Sequence, residues 1–306
     1  MIVKPRGTWL SLMFSWRGSV ITSIWPRLLF VLIVSIAVEE AHRQNVIPER
    51  ITLTPLPFSL IGLALSIFLG FRNNTSYDRF WEGRKLWGRV VNTSRSLTRQ
   101  ILTLVASEDG ATHKTLVYRL MGYVHALRLH LRTQKDLSEL SPFIGEARAK
   151  ALEGETNPPI ALLQDLGDDF AAEWKKGNVD AFHLPVLEAS LTEFANIQGG
   201  CERIRATPIP FSYTVLMHRI VELYCLGLPF GIVNSTGVAT PFVVLMIAYA
   251  FLALDAIGEE IEDPFGTDNN DLPLSQLSRM IEINLRERLG EEELPDPVTP
   301  VNGVLS

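Results

Sequence analysis

The chain has 306 residues, of which 47% are hydrophobic and 20% are charged, and its formal net charge is −6. It is more apolar than a typical soluble protein, yet its charged residues require a substantial water-exposed part. The negative charge excludes a basic nucleic-acid-binding protein, so we expect no nucleic-acid partner. The two cysteines lack CxxC spacing, which excludes a disulfide framework or a cysteine zinc site.

The first 24 residues combine basic and aromatic side chains, among them Lys4, Arg6, Trp16 and Arg17. They contain no uninterrupted apolar core of the kind that a signal peptide needs. Basic and aromatic residues together are typical of segments that lie on a membrane surface. We therefore interpret residues 1–24 as an amphipathic cytoplasmic segment.

Four apolar runs approach the length of about 20 residues that a membrane-spanning helix needs. We predict transmembrane helices at residues 25–41, 55–73, 213–234 and 238–258. Basic residues precede the first run and follow the second, while the turn between the third and fourth carries no charge. The positive-inside rule then places both termini and the long central region in the cytoplasm.

The central region, residues 79–205, has apolar residues at three- and four-residue spacing, which indicates amphipathic helices. Residues 259–306 are interpreted as a cytosolic acidic loop, a helix and a tail that is Pro-rich after Pro295. No strand-like alternation persists anywhere. The sequence thus predicts an all-α, multi-pass membrane protein with four transmembrane helices and a large cytosolic helical domain.

Known catalytic motifs are missing from the sequence, which has no nucleophile elbow, no phosphate-binding glycine loop and no HExxH. We therefore predict that the protein is not an enzyme. His218, Arg219 and Glu222 are ionisable residues within the third apolar run, where charge is costly. The three-residue spacing of Arg219 and Glu222 predicts an ion pair. It could lock helices together, or these residues could take part in ion conduction.

Leu63, Ile67 and Phe71 recur every four residues in the second run and therefore follow one stripe along its helix. In an isolated helix this stripe would be a packing face. Around an axis shared by several copies, it would form a hydrophobic constriction that gates by dewetting. Arg72 comes next, and it would favour anions if it faced a pore. Alternatively, it could pair with a carboxylate of a neighbouring helix.

The acidic stretch EEIEDPFGTDNND, residues 259–271, follows the fourth run. On its own it could be a metal site, a catalytic cluster or the solvated end of a membrane helix.

Three segments together resemble the bestrophins, specifically the bacterial bestrophin-like inner-membrane proteins. They are FSLIGLALSIFLGFRNNTSYDRFWEGRKLWG at 58–88, GCERIRATPIPFSYTVLMHR at 200–219 and EEIEDPFGTDNNDLPL at 259–274. The resemblance implies a homopentameric ion channel in the bacterial inner membrane, with four transmembrane helices per subunit. The second transmembrane helix would line a single pore for monovalent ions. Eukaryotic relatives conduct chloride, whereas bacterial relatives can favour cations.

The resemblance also implies roles for particular residues. Leu63, Ile67 and Phe71 match the hydrophobic neck of the family's pore. The cytosolic aperture would lie just before the helix that contains CERI, with Phe182 or Val186 as the ring residue. Of these two, we expect Phe182.

Four carboxylates match the calcium clasp of eukaryotic bestrophins, namely Glu260, Asp263, Asp268 and Asp271. Eukaryotic clasps are almost continuously acidic after the glycine, whereas here Asn269 and Asn270 interrupt the run. We therefore expect the loop to join the transmembrane and cytosolic parts without calcium gating, and we expect no other cofactor. A membrane-anchored scaffold or ligand-binding module without conduction is the alternative function.

Overall fold

The computed structural model describes residues 1–2, 9–10, 18–46, 54–301 and 303–305. Within these residues it is helical, and its only β-structure consists of isolated bridges. Most of the amphipathic segment expected at residues 1–24 lies outside the described residues, as do residues 47–53. The prediction of an all-α chain is confirmed for the part that the structure describes.

The helices follow one another along the chain, and a 3₁₀ turn (Gly237–Ala239) joins the last two apolar ones. In chain order they are α1 (Ile21–Arg43), α2 (Pro55–Leu104), α3 (Ala111–Leu131), α4 (Ser141–Ile144), α5 (Glu146–Leu152), α6 (Pro158–Lys175), α7 (Leu184–Ala206), α8 (Phe211–Thr236), α9 (Thr240–Glu260) and α10 (Leu274–Arg288).

Three segments of the described chain are long and apolar enough to cross a membrane: α1, α2, and Phe211–Glu260, which contains both α8 and α9. The four predicted spans lie within these segments. The sequence interpretation separated the second span from the helical region at residues 74–78. The structure instead continues α2 through this point for 50 residues, because NNTSYD contains no proline or glycine that would end a helix.

The chain divides into two compact units. We call residues Pro5–Phe80 and Pro208–Asp263 the membrane unit, since they contain the apolar runs. We call residues Met1–Lys4, Trp81–Thr207 and Pro264–Ser306 the extramembrane unit.

The core of the membrane unit lies where α1, α8, α9 and the first half of α2 meet. Val31, Leu69, Val221 and Ala248, one from each helix, are fully buried there. A side chain at Gly231 of α8 would overlap the ring of Phe58, so this glycine allows α2 to approach closely. This packing fixes which face of α2 turns inward.

The extramembrane unit is built around α3, in which every residue from Leu120 to Leu129 is buried. It packs against α6 and α10. The start of α6 is defined by Asn157, whose side-chain oxygen accepts a hydrogen bond from the Ile160 N–H at 3.3 Å, and by Pro158 at the first helical position.

Candidate pore-lining site

Leu63, Ile67 and Phe71 lie on one face of α2, and we call these three residues the neck stripe. Their side chains are 63%, 50% and 62% exposed in the single chain. The opposite face of the helix is packed, because Leu65 and Leu69 are at most 2% exposed. At about 1.5 Å per residue, the neck stripe extends about 12 Å along the helix. A rigidly held helix thus presents three uncovered apolar side chains in a row.

Arg72 follows the neck stripe in sequence but points away from it. Its side chain is buried, and Nη1 donates to Asp255 Oδ1 at 2.5 Å and to the Asp255 backbone carbonyl at 3.3 Å. A hydrogen bond between two ionised groups is stronger than a neutral one. Of the two roles considered for Arg72, pairing with a neighbouring helix is therefore confirmed.

Asp255 is the centre of a polar cluster inside the membrane unit. His218 Nδ1 lies 2.6 Å from Asp255 Oδ2, and Arg27 Nη1 lies 3.9 Å from the same oxygen. Together with Arg72, these residues link all four apolar helices, because Arg27 lies on α1, His218 on α8 and Asp255 on α9. The sequence analysis missed Asp255, although a lone carboxylate in the apolar stretch FLALDAIG was the signal that could have revealed it.

The predicted ion pair between Arg219 and Glu222 is wrong. Glu222 Oε1 instead contacts Arg27 Nε at 3.3 Å, while Arg219 is exposed and has no ion pair within the described residues. The physical reason is that Glu222 faces α1, where Arg27 offers a partner from another helix. The geometry supports the helix-locking interpretation for His218 and Glu222.

The acidic loop makes separate contacts on either side of the boundary between the units. In the membrane unit, Glu262 accepts through its backbone carbonyl from Arg79 Nε at 3.1 Å and through its carboxylate from the Ile209 N–H at 2.9 Å. In the extramembrane unit, the Asp268 N–H donates to Asp271 Oδ2 at 2.7 Å, and Asp271 is buried.

The Pro-Phe pair of this loop acts as a packing element in the extramembrane unit. Phe265 is fully buried, and a Cβ at Gly83 of α2 would lie 3.1 Å from its ring. Among the described residues, no group of three or more His, Cys, Asp or Glu is arranged to hold a metal ion. The clasp positions Glu260, Asp263, Asp268 and Asp271 thus remain a prediction from resemblance.

Phe182 lies in the turn before α7 and Val186 in the first turn of that helix. Phe182 is 87% exposed, the most of any large apolar side chain among the described residues, and Val186 is 42% exposed. The Asp180 carboxylate accepts from the Phe182 N–H at 2.8 Å and holds the turn. The chain therefore presents a second uncovered apolar feature, in the extramembrane unit.

A sequence model of the family described as Bacterial/Fungal Bestrophin protein matches residues 1–287. The chain belongs to the bestrophin family. It is 41% identical over 297 residues to the voltage-dependent anion channel-forming protein of Ralstonia nicotianae, covering 97% of each chain. It is 38% identical over 304 residues to the protein of the same description, YneE, of Escherichia coli K12, covering 98% of each.

Solved structures agree with this assignment. The crystal structure of a bacterial bestrophin homologue from Klebsiella pneumoniae superposes with a TM-score of 0.83 at 37% identity, covering 88% of this chain and 100% of that one. The resemblance read from the sequence is thereby confirmed. A bestrophin whose relatives are named channel-forming proteins also confirms the prediction that the chain is not an enzyme.

Proposed function

We propose that this bestrophin is a homopentameric channel for monovalent ions in the bacterial inner membrane. Each subunit contributes four transmembrane helices, with both termini in the cytoplasm, and α2 lines a single central pore. The observation that carries the proposal is the neck stripe, whose three apolar side chains stay at least half exposed in the single chain although the opposite face of α2 is packed.

An uncovered apolar face on a well-packed helix needs a partner. If five copies surround one axis, the neck stripe forms three successive apolar rings about 6 Å apart, at four residues per step. Such rings exclude water until they widen, which makes them a gate. The channel-forming names of the relatives support this arrangement over a lipid-facing stripe.

The remaining predicted sites fit into the same pathway. Phe182 forms the cytosolic aperture, with Val186 beside it, which accounts for an almost fully exposed phenylalanine in the extramembrane unit. The acidic loop joins the transmembrane and cytosolic parts and does not gate the channel through calcium. The permeant ions are monovalent, and the charges lining the pore set their sign.

Purified full-length protein in liposomes tests the proposal through ion flux under a salt gradient. We expect wild-type flux, and we expect Leu63→Ala, Ile67→Ala and Phe71→Ala each to raise it several-fold, because the constriction widens. Phe68→Ala is the matched control, since Phe68 is 51% exposed on the same helix but lies off the neck stripe, and it should leave the flux unchanged. Absence of flux in the wild type and in all variants would instead favour the scaffold alternative.

A further inference from the structure

The neck stripe continues into polar residues at its end. Asn74 and Asp78 follow Phe71 by three and seven residues, and both are exposed. Seven residues are almost two full turns, so Asp78 lies on the same face as Phe71, about 10 Å further along the helix. The face therefore changes from three apolar side chains to an amide and then to a carboxylate.

The Asp78 carboxylate is not neutralised within the membrane unit. Asp78 has no hydrogen bond or ion pair within the described residues. The basic residues nearest to it in sequence are engaged elsewhere. Arg72 binds Asp255, Arg79 donates to the Glu262 carbonyl, and the Arg84 guanidinium lies 5.7 Å from the centre of the Trp81 ring. Along this face of α2, Asp78 is thus the first charged side chain after the neck stripe.

We propose that Asp78 determines the charge selectivity of the pore. The inference rests on the proposed function, because the carboxylates of five subunits form a ring at the inner end of the neck only if α2 lines the pore. A ring of carboxylates raises the local concentration of cations and excludes anions. What is new here is the residue: the Asp78 ring supplies the negative charge that favours monovalent cations over the anions named for the relatives.

The next charge at the same helical position has the opposite sign. Lys85 follows Asp78 by seven residues, is exposed and has no ion pair within the described chain. The separation of about 10 Å along the helix exceeds the screening length of about 8 Å at physiological salt, so the two rings act largely independently. Asp78 is the nearer of the two to the neck and therefore dominates at the narrow part of the pore.

Reversal potentials of the reconstituted full-length protein in a KCl gradient test the assignment. We expect the wild type to prefer K⁺, Asp78→Asn to lower the K⁺/Cl⁻ permeability ratio at least about threefold, and Asp78→Glu to keep it. The effect should shrink in 1 M salt, where the screening length falls to about 3 Å. Glu82→Gln is the matched control, because Glu82 lies on the same helix but pairs with Arg203 at 2.7 Å, and its ratio should equal that of the wild type.

The outcomes separate the two proposals. Conduction with an unchanged permeability ratio in Asp78→Asn overturns the role of Asp78 and leaves the channel intact. Absence of wild-type conduction overturns the proposed function itself. If Asp78→Asn fails to assemble in size-exclusion chromatography, Asp78→Cys can be modified after assembly with cationic or anionic methanethiosulfonates.

The two native cysteines should not react with these reagents. Cys201 and Cys225 are both buried, and burial raises the pKa of the Cys201 thiol to about 12. The cationic adduct should lower the K⁺/Cl⁻ ratio relative to the anionic one. Equal ratios would overturn the assignment.

Discussion

The two units of this bestrophin use apolar and charged residues in opposite ways. In the membrane unit, Leu223 is 71% exposed while Arg72 is 1% exposed. In the extramembrane unit, Phe170 is fully buried, while the side chains of the Arg203–Glu82 pair are 66% and 43% exposed. Lipid tolerates apolar side chains outside and offers no hydrogen bonds, so the ionised groups buried in the membrane unit, Arg72 and Asp255, pair with each other.

The difference between the two units is tested most directly by removing one partner of an ion pair in each unit and comparing the loss of stability. Asp255→Asn takes away the carboxylate that Arg72 and His218 share, and it leaves the buried Arg72 guanidinium without a counter-charge. We expect a loss of about 3–5 kcal/mol, seen as failure to assemble or as a large drop in thermal stability in detergent.

Glu82→Gln is the matched change in the extramembrane unit, where the pair with Arg203 is exposed and worth at most about 1 kcal/mol. A double replacement, Arg72→Met with Asp255→Leu, should recover part of the loss of Asp255→Asn, because apolar residues of similar volume can replace a buried pair. If Asp255→Asn and Glu82→Gln lowered the stability equally, the buried and the exposed ion pair would contribute the same free energy, and the contrast between the units would be contradicted.

A smaller effect is expected when a charge is placed on the outer surface of each unit. Leu223 lies in the middle of α8, so Leu223→Asp should cost about 2.5–3.5 kcal/mol of membrane insertion and lower the yield of folded protein in the membrane fraction. Ile160→Asp is the control, since Ile160 is 45% exposed in the first turn of α6.

An aspartate at this position faces the positive end of the helix dipole and should be neutral or slightly stabilising. The comparison would be contradicted if Leu223→Asp accumulated in the membrane as well as the wild type did.

The sequence allowed the apolar runs, the helical character and the neck stripe to be predicted, because each depends on local periodicity. It could not supply the partners of the buried charges. Arg219 and Glu222 have the right spacing for a pair, yet Glu222 binds Arg27, about 200 residues earlier in the chain. Asp255 had no local partner at all, and its role follows only from the packing of four helices. Resemblance, and not periodicity, singled out Phe182.

The smallest effect concerns an ion pair that bulk water reaches, in the extramembrane unit. Burial alone would raise the pKa of Glu139, but its interactions with His125, at 3.5 Å, and with the Arg128 guanidinium lower the pKa from 4.5 to about 2. A carboxylate whose pKa is lower in the folded state stabilises the fold fully above pH 4.5 and loses this contribution as the pH falls from 4.5 towards 2.

Glu139→Gln should therefore cost about 1 kcal/mol at pH 7, a value reduced by screening because the carboxylate is 44% exposed. Thermal unfolding in detergent, measured from pH 7 to pH 3, should show the difference from the wild type narrowing below pH 4.5. Glu153→Gln, at an exposed position without an ion pair in the described chain, should show no comparable difference at any pH. If the stability difference between Glu139→Gln and the wild type stayed constant down to pH 3, Glu139 would act through packing and not through its charge. The contrast between the charged groups of the two units would then be smaller than their burial indicates.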